Sequence, residues 1–171
     1  MKDLAGVATI SKTTENSSEA HYYDNRPAVV VRSAGADTVT LDVSAIQHSV
    51  LADLLGQTYN SSKAMYVESE MTTKYFALGY ITKNTDGEEI FVWRLKGTFS
   101  VPDETSNTEN NGTDANGQQI VFTGIMTAHE FTEGNSAAKA IYVNASENSS
   151  VSKATFFATV QTPDTVTAPT P

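Results

Sequence analysis

Apolar and polar positions alternate over several short stretches of the chain. The clearest is 37–43, where Val39, Leu41 and Val43 share one face and polar residues take the other. A period of two over seven residues predicts a half-buried strand. Similar runs, rich in β-branched and aromatic residues, lie at 5–10, 28–32, 64–67, 74–83, 88–96, 118–126, 137–143 and 154–160. The pattern therefore predicts eight or nine short strands.

Two of these runs predict a hairpin. Asp86-Gly87 stands between 74–83 and 88–96, and an Asp-Gly pair between two β-rich runs favours a tight turn. The first arm is apolar on both faces, which predicts a strand that is central or covered twice. On the second arm Trp93 shares a face with other apolar residues, and Arg94 lies on the opposite face. The aromatic residues here fit a hairpin core better than a ligand-stacking platform.

One helix is predicted at about 45–55. Ser44 is a suitable N-cap, and Gln47 three residues later completes the sequence of a capping box. Gly56 follows the last apolar residue, where a left-handed cap favours glycine. The apolar stripe consists of Ile46, Val50, Leu51, Leu54 and Leu55. Such a stripe predicts a helix docked on a sheet.

Two polar segments complete the outline. Residues 100–117 form a long, acidic, turn-rich loop, and no basic residue occurs from Gly97 to Ala138. Residues 161–171 are rich in Pro and Thr and predict a flexible C-terminal tail. Together the elements predict a mainly β protein with one β-sandwich or barrel-like domain over residues 1–160, a single docked helix and a long polar loop.

Charge and composition exclude several classes of protein. The 171 residues include 20 acidic and 11 basic ones, for a net charge of −9 and no cysteine. Surfaces that bind nucleic acid and polybasic membrane patches need clustered positive charge, so the acidic balance argues against both. Disulfide frameworks and thiolate metal sites need cysteine and are therefore excluded. Apolar runs are too short for a membrane-spanning helix. The first fifteen residues lack a hydrophobic stretch of signal-peptide length, so we expect no secretion signal.

Candidate catalytic and metal-binding residues are few. The segment His129–Glu133 lacks the second histidine of the zinc-protease motif. His21 and Asp24 offer two metal ligands without a third. The segment 112–117 lacks the first ligand of a calcium loop, and Thr123 stands at the closing position. We therefore expect no cofactor and no metal.

Paired carboxylates are the remaining candidates for chemistry. They are adjacent in sequence, at Glu88-Glu89 and Asp103-Glu104. Neighbours on a strand point to opposite faces, so such a pair does not form an acid–base couple. The residues thus favour a structural or binding protein over an enzyme.

A longer pattern of strands and turns narrows the class further. It runs through Tyr75-Phe76-Ala77-Leu78-Gly79-Tyr80, Asp86-Gly87, Val92-Trp93-Arg94-Leu95-Lys96-Gly97-Thr98-Phe99, a polar loop, and Ile120-Val121-Phe122-Thr123-Gly124. The helix ending in Leu54-Leu55-Gly56, with Tyr59 after it, belongs to the same pattern. Over about residues 5–145 it resembles the phi13-type major tail proteins of long-tailed bacteriophages. Members of that family carry more sequence before this segment, so the resemblance implies that an N-terminal part is missing here. The Pro/Thr tail resembles linkers that lead to an immunoglobulin-like domain in some relatives.

The resemblance implies a virion structural protein of the tail tube, assembled in the cytoplasm of the bacterial host. Such subunits form hexameric rings that stack around a tape-measure protein and meet tail terminator and distal tail proteins. DNA passes through the lumen during ejection. An acidic lumen would repel phosphates, so passage would need no sequence-specific binding. No membrane partner is expected.

Within this interpretation the loop at 100–117 is the candidate ring-to-ring contact, ordered on stacking. The candidate residues are Pro102, Asp103, Glu104, Asn110, Asn111 and Asp114. Two other classes stay open. A bacterial surface or adhesin-like β-sandwich module fits the Thr-rich strands and the Pro/Thr tail. A carbohydrate-active enzyme would need two convergent carboxylates in an aromatic-lined cleft.

Overall fold

A computed structural model of the protein describes residues 2–23, 26–104 and 117–169. The fold is mainly β, with 46% strand and 9% helix. Its main sheet curls into a half-barrel beside one short helix, which confirms the predicted β-sandwich or barrel-like class. None of the helices in these residues is long and apolar enough to cross a membrane.

The described residues contain eleven strands and two helices. In chain order they are β1 Val7–Tyr23, β2 Arg26–Val43, α1 His48–Leu55, β3 Thr58–Asn60, β4 Met65–Val67, β5 Phe76–Lys83, β6 Glu89–Phe99, β7 Asp103–Glu104, β8 Gln118–Gly124, β9 Glu130–Phe131, β10 Ser136–Ala137, β11 Ala140–Asn144 and α2 Lys153–Phe156.

Seven of the strands form one antiparallel sheet. The order is β1-β2-β8-β6-β11, with β5 also paired to β6 and β7 also paired to β8. Strand β6 is the junction, because its first half pairs with both β5 and β11 and its last residues pair with β8. The ribbons β3–β4 and β9–β10 are separate two-stranded sheets.

The first hydrophobic core lies between one face of the main sheet and α1. The alternating face of β2 enters it, and Leu41 is 1% exposed there. Phe122 of β8 is fully buried in the same cluster, and Leu51 and Leu55 of α1 pack against it. The short helix α1 therefore packs on this face of the main sheet.

The second core lies on the opposite face of β5, β6 and β11. Phe91 and Trp93 pack there against Val143 and against Phe156 of α2. The indole Nε1 of Trp93 donates to the Phe156 carbonyl at 3.1 Å, which satisfies its only polar group. The hairpin-core interpretation is confirmed for Phe91 and Trp93, and Phe76 and Tyr80 pack against the first core, whereas Tyr75 is exposed.

Strand β5 is covered on both faces, as predicted. Leu78 and Tyr80 pack into the first core, and Ala77 and Ile81 pack against the second. Among the described strands it pairs only with β6, so it is a covered edge strand rather than a central one.

The start of α1 differs from the prediction. The helix begins at His48 with Gln47 as its N-cap, and no side chain caps it. The Ser44 hydroxyl instead accepts the Gly6 N–H at 3.0 Å, so the predicted capping box is wrong. The end is confirmed, because Gly56 caps the helix in the left-handed conformation with φ of 67°.

The strand predicted at 154–160 is wrong. Residues 153–156 form α2, whose first turn is closed by a capping box between Ser152 and Thr155. Each side chain accepts a backbone N–H of the other, at 3.2 Å and 3.0 Å. These bonds satisfy the free amides at the helix start, and the turn places Phe156 in the second core.

The segment predicted as a flexible tail is described as far as residue 169. Asp164 accepts the backbone N–H groups of Thr132 at 3.2 Å and Glu133 at 2.8 Å. Asn148 donates to the Thr167 carbonyl, and Val166 packs against the second core. These contacts join 162–167 to the domain; the flexibility of 161–171 stays a prediction.

Candidate functional site

The predicted ring-to-ring contact residues are only partly described. Pro102 is buried, while Asp103 and Glu104 are exposed and form β7 at the edge of β8. Asn110, Asn111 and Asp114 lie outside the described residues. The structure therefore places the first part of the loop against the main sheet, and its role in assembly stays a prediction.

A second feature, which sequence analysis missed, is a long two-stranded arm. Strands β1 and β2 pair from Val7 opposite Val43 to Tyr23 opposite Arg26. Of the residues in β2, only 37–43 pair with β8. We call residues 15–23 and 26–36 the arm; at about 3.3 Å per residue it is about 30 Å long. Among the described strands no third strand pairs with it.

The arm begins at a β-bulge. Thr14 pairs with Asp37 and Asn16 with Ala34, so Glu15 alone faces two residues of β2. One of these two is Gly35, where a Cβ atom would lie 2.8 Å from a carboxylate oxygen of Glu15. A bulge bends and twists a ribbon locally, so a change of direction is expected at the base of the arm.

A buried ionic cluster lies beside this bulge. Asp37 is 3% exposed and Arg94 of β6 is 1% exposed, and their side chains form an ion pair. Lys139, just before β11, lies 3.0 Å from the other carboxylate oxygen of Asp37. Thr14 donates its hydroxyl to that same oxygen at 2.8 Å. The carboxylate is thus held from β1, β6 and the residue before β11.

The other donors of the arginine are also used. Arg94 donates to the hydroxyls of Tyr80 on β5 and Tyr142 on β11. No described buried side-chain polar atom lacks a hydrogen-bond partner. Full pairing matters because an unpaired charge in this position would cost several kcal/mol.

The cluster borders a cleft of about 590 Å³ between β1 and β5. Arg94, Tyr80 and Tyr142 line it together with Lys12. None of the described residues that line it is Asp or Glu, and Trp93 lies on the opposite face of β6. The cleft therefore offers no acid–base pair of the kind that glycoside hydrolysis requires.

The histidines lie apart from this cluster. His48 is exposed and stacks on Tyr66, with ring centroids 5.8 Å apart. His129 is exposed beside β9 and contacts the edge of the Phe131 ring. The side chain of His21 is outside the described set. Within the described residues no group of three His, Asp or Glu is placed to hold a metal ion.

The ionic cluster makes stability depend on pH. Burial by itself would raise the pKa of Asp37, but hydrogen bonds from Thr14 and Lys139 and the charges of Arg94 and Lys12 outweigh it, so the pKa of this carboxyl lies below its ordinary value. A lowered pKa adds stability that is complete above the unfolded value and is lost as pH falls through the folded one.

We therefore expect the unfolding free energy of the wild type to fall more steeply below about pH 4 than that of Asp37→Asn. Urea unfolding at a series of pH values measures both slopes. Asp86→Asn, a change in an exposed turn, should keep the wild-type slope. Equal slopes for wild type and Asp37→Asn would show that this carboxylate does not carry the effect.

Comparison with known proteins finds no family model and no curated protein that matches the chain. The resemblance to phage tail proteins accordingly stays a prediction.

Proposed function

We propose that the protein is a structural subunit of a phage tail tube that assembles with copies of itself into stacked hexameric rings. The observation that carries the proposal is the arm, with which no third strand among the described residues pairs. An isolated two-stranded ribbon is marginal in water, and three strands or a packed face are needed for independent stability. An arm of this length is therefore expected to be stabilised by another molecule.

A second copy of this chain is a suitable partner. The outer edge of β1 and the arm part of β2 pair with no further described strand, so their backbone groups are open to pairing. A contact in which the arm of one copy meets a different surface of the next is head-to-tail. Such contacts generate closed rings or open filaments.

The charge of the chain supports the DNA-conducting part of the proposal. A net charge of −9 gives a field that opposes binding of phosphates. A tube built from many such subunits would let DNA slide without counterion-driven adhesion. The proposed partners are a tape-measure protein inside the tube and the terminator and distal tail proteins at its ends. The proposed location is the virion tail, after assembly in the host cytoplasm.

Electron microscopy of the purified protein over a concentration series tests the proposal. Hollow tubes or six-fold rings are the expected result. A monomer at every concentration, checked by light scattering of the same samples, would contradict it. That outcome would favour a surface or adhesin-like binding module, for which binding to a glycan array would be the next measurement.

The loop makes a separate prediction within the same proposal. Replacing residues 105–116 with an Asn-Gly turn is expected to abolish tubes and to leave the domain folded. The domain should survive because the pairing of β7 with β8 ends at Glu104 opposite Gln118, where a short turn can join the strands. Circular dichroism and electron microscopy measure the two effects. Normal tubes from this variant would exclude the loop as a ring-to-ring contact.

A further inference from the structure

We propose that Lys139 and Asp37 form an ionic clamp that fixes the direction in which the arm leaves the domain. The clamp lies where the arm joins the rest of the main sheet, at Asp37, the residue nearest the arm at which β2 pairs with β8. It concerns the geometry of a single chain and so goes beyond self-assembly.

The bulge is the point where direction is decided. Glu15 faces both Gly35 and Ala36, and the ladder resumes on the arm side with Asn16 opposite Ala34. The backbone of a bulge bends and twists, and its angle depends on what holds it. A fixed arm therefore needs a contact from the domain to the bulge itself.

Lys139 supplies that contact. Its Nζ donates to the Gly35 carbonyl at 2.8 Å and to Asp37 Oδ1 at 3.0 Å. The first acceptor belongs to the bulge, and the second belongs to Asp37, at the arm end of the pairing between β2 and β8. One ammonium group thus bridges the bulge and the strand that follows it. The lysine is itself fixed, because its carbonyl accepts the Leu95 N–H at 2.9 Å.

Asp37, the second residue of the clamp, is itself held in place by several bonds. Arg94 pairs with its second carboxylate oxygen and is in turn bonded to two tyrosine hydroxyls. Thr14, on the opposite strand, donates to the same oxygen as Lys139. Hydrogen bonds to charged groups in a buried site are stronger than neutral ones and specify geometry.

The direction of the arm can be measured with two spin labels. The sequence has no cysteine, so Ser18→Cys on the arm and Thr123→Cys on β8 give two unique labelling sites. Both residues are exposed. Double-labelled protein diluted into an excess of unlabelled protein reports only distances within one chain. The measurement is therefore valid whether or not the protein assembles.

In the wild type we expect one narrow distance peak. Lys139→Met keeps the apolar stem and removes both hydrogen bonds, so we expect the narrow peak to be lost. Lys139→Arg retains the charge and at least two donors and is expected to restore it. Lys63→Met, a change in an exposed turn between β3 and β4, is the matched control and should leave the peak unchanged.

If folded Lys139→Met still gives the narrow distance peak of the wild type, the proposal is overturned. If Lys139→Met does not fold, Lys139→Gln decides, because it keeps a polar donor at this site but lacks the charge and is one bond shorter, so it cannot bridge both acceptors. A broadened peak in Lys139→Gln supports the clamp, and an unchanged one overturns it. If Lys139→Met keeps the narrow peak and the wild type forms normal tubes, only the clamp is refuted. If the wild type gives a narrow peak that Lys139→Met loses, but no tubes form, only the proposed function is refuted.

Discussion

Replacing Arg94 with methionine is expected to lower the free energy of unfolding by about 3–5 kcal/mol. The side chain is 1% exposed and pairs with a carboxylate that is 3% exposed. Its removal leaves Asp37 buried with one cation fewer, and it removes the donor that Tyr80 and Tyr142 share. For a chain of this size the loss corresponds to a fall in melting temperature on the order of 6–20 °C.

Urea unfolding followed by the fluorescence of Trp93 measures this loss, since the chain has one tryptophan and it is buried. Lys96→Met is the matched control. It removes a positive charge two residues along the same strand, where Lys96 lies over the Tyr75 ring at 4.7 Å. An exposed contact of that kind is worth about 0.5–1 kcal/mol. A similar small loss for Arg94→Met would show that the buried pair contributes little.

A double variant separates the cost of a broken pair from the value of an intact one. Asp37→Leu with Arg94→Met replaces both charges by apolar groups. Replacing both partners of a buried pair is often neutral, whereas removing one is strongly destabilising. We therefore expect the double variant to recover part of the stability that the single variant loses. The remaining deficit reflects Lys139, which would keep its bond to Gly35 but lose its carboxylate partner.

Sequence patterns predicted the parts of the fold in which one face is buried. The alternation at 37–43 is the clearest case, because Val39, Leu41 and Val43 enter the first core and their neighbours do not. The hairpin around Asp86-Gly87 is equally well marked, since Gly87 adopts the positive φ of 84° that such a turn requires.

The arm could not be predicted from the same signal. Residues 11–18 are mostly polar and exposed on both faces, so they have no alternation even though they form part of β1. Their strand character comes from the ladder with β2, which is a long-range feature. The error at 154–160 has a different cause. A short apolar run fits a strand and a buried helical turn equally well, and capping by Ser152 decides for the helix.

The ionic cluster could not be predicted from the sequence either. Asp37 and Arg94 are 57 residues apart, and Lys139 is 102 residues from Asp37. Their meeting depends on the registers of β2 with β8 and of β6 with β11. The available signal was weak: Asp37 is the first residue of the alternating run 37–43, and Arg94 lies within the mostly apolar stretch 90–95. Only the fold shows that the two charges share one buried site.

Removing the arm is expected to abolish assembly while leaving the domain intact. Replacing residues 17–33 with Asn-Gly keeps Asn16 opposite Ala34 as the closing pair of a two-residue hairpin. The two cores contain none of the described arm side chains, so the free energy of unfolding should change by no more than about 1 kcal/mol. Electron microscopy then shows whether tubes form, and thermal unfolding shows whether the domain is preserved.

The matched control shortens the β3–β4 ribbon with the same Asn-Gly replacement. Replacing 61–64 with Asn-Gly keeps Asn60 opposite Met65 as the closing pair of β3 and β4. This variant should still form tubes, because its ribbon is joined to α1 rather than to the arm. Tubes from the arm-deleted protein would refute the role of the arm. Loss of tubes in both variants would show that assembly responds to any shortened turn, and the unsupported arm would then no longer carry the proposed function.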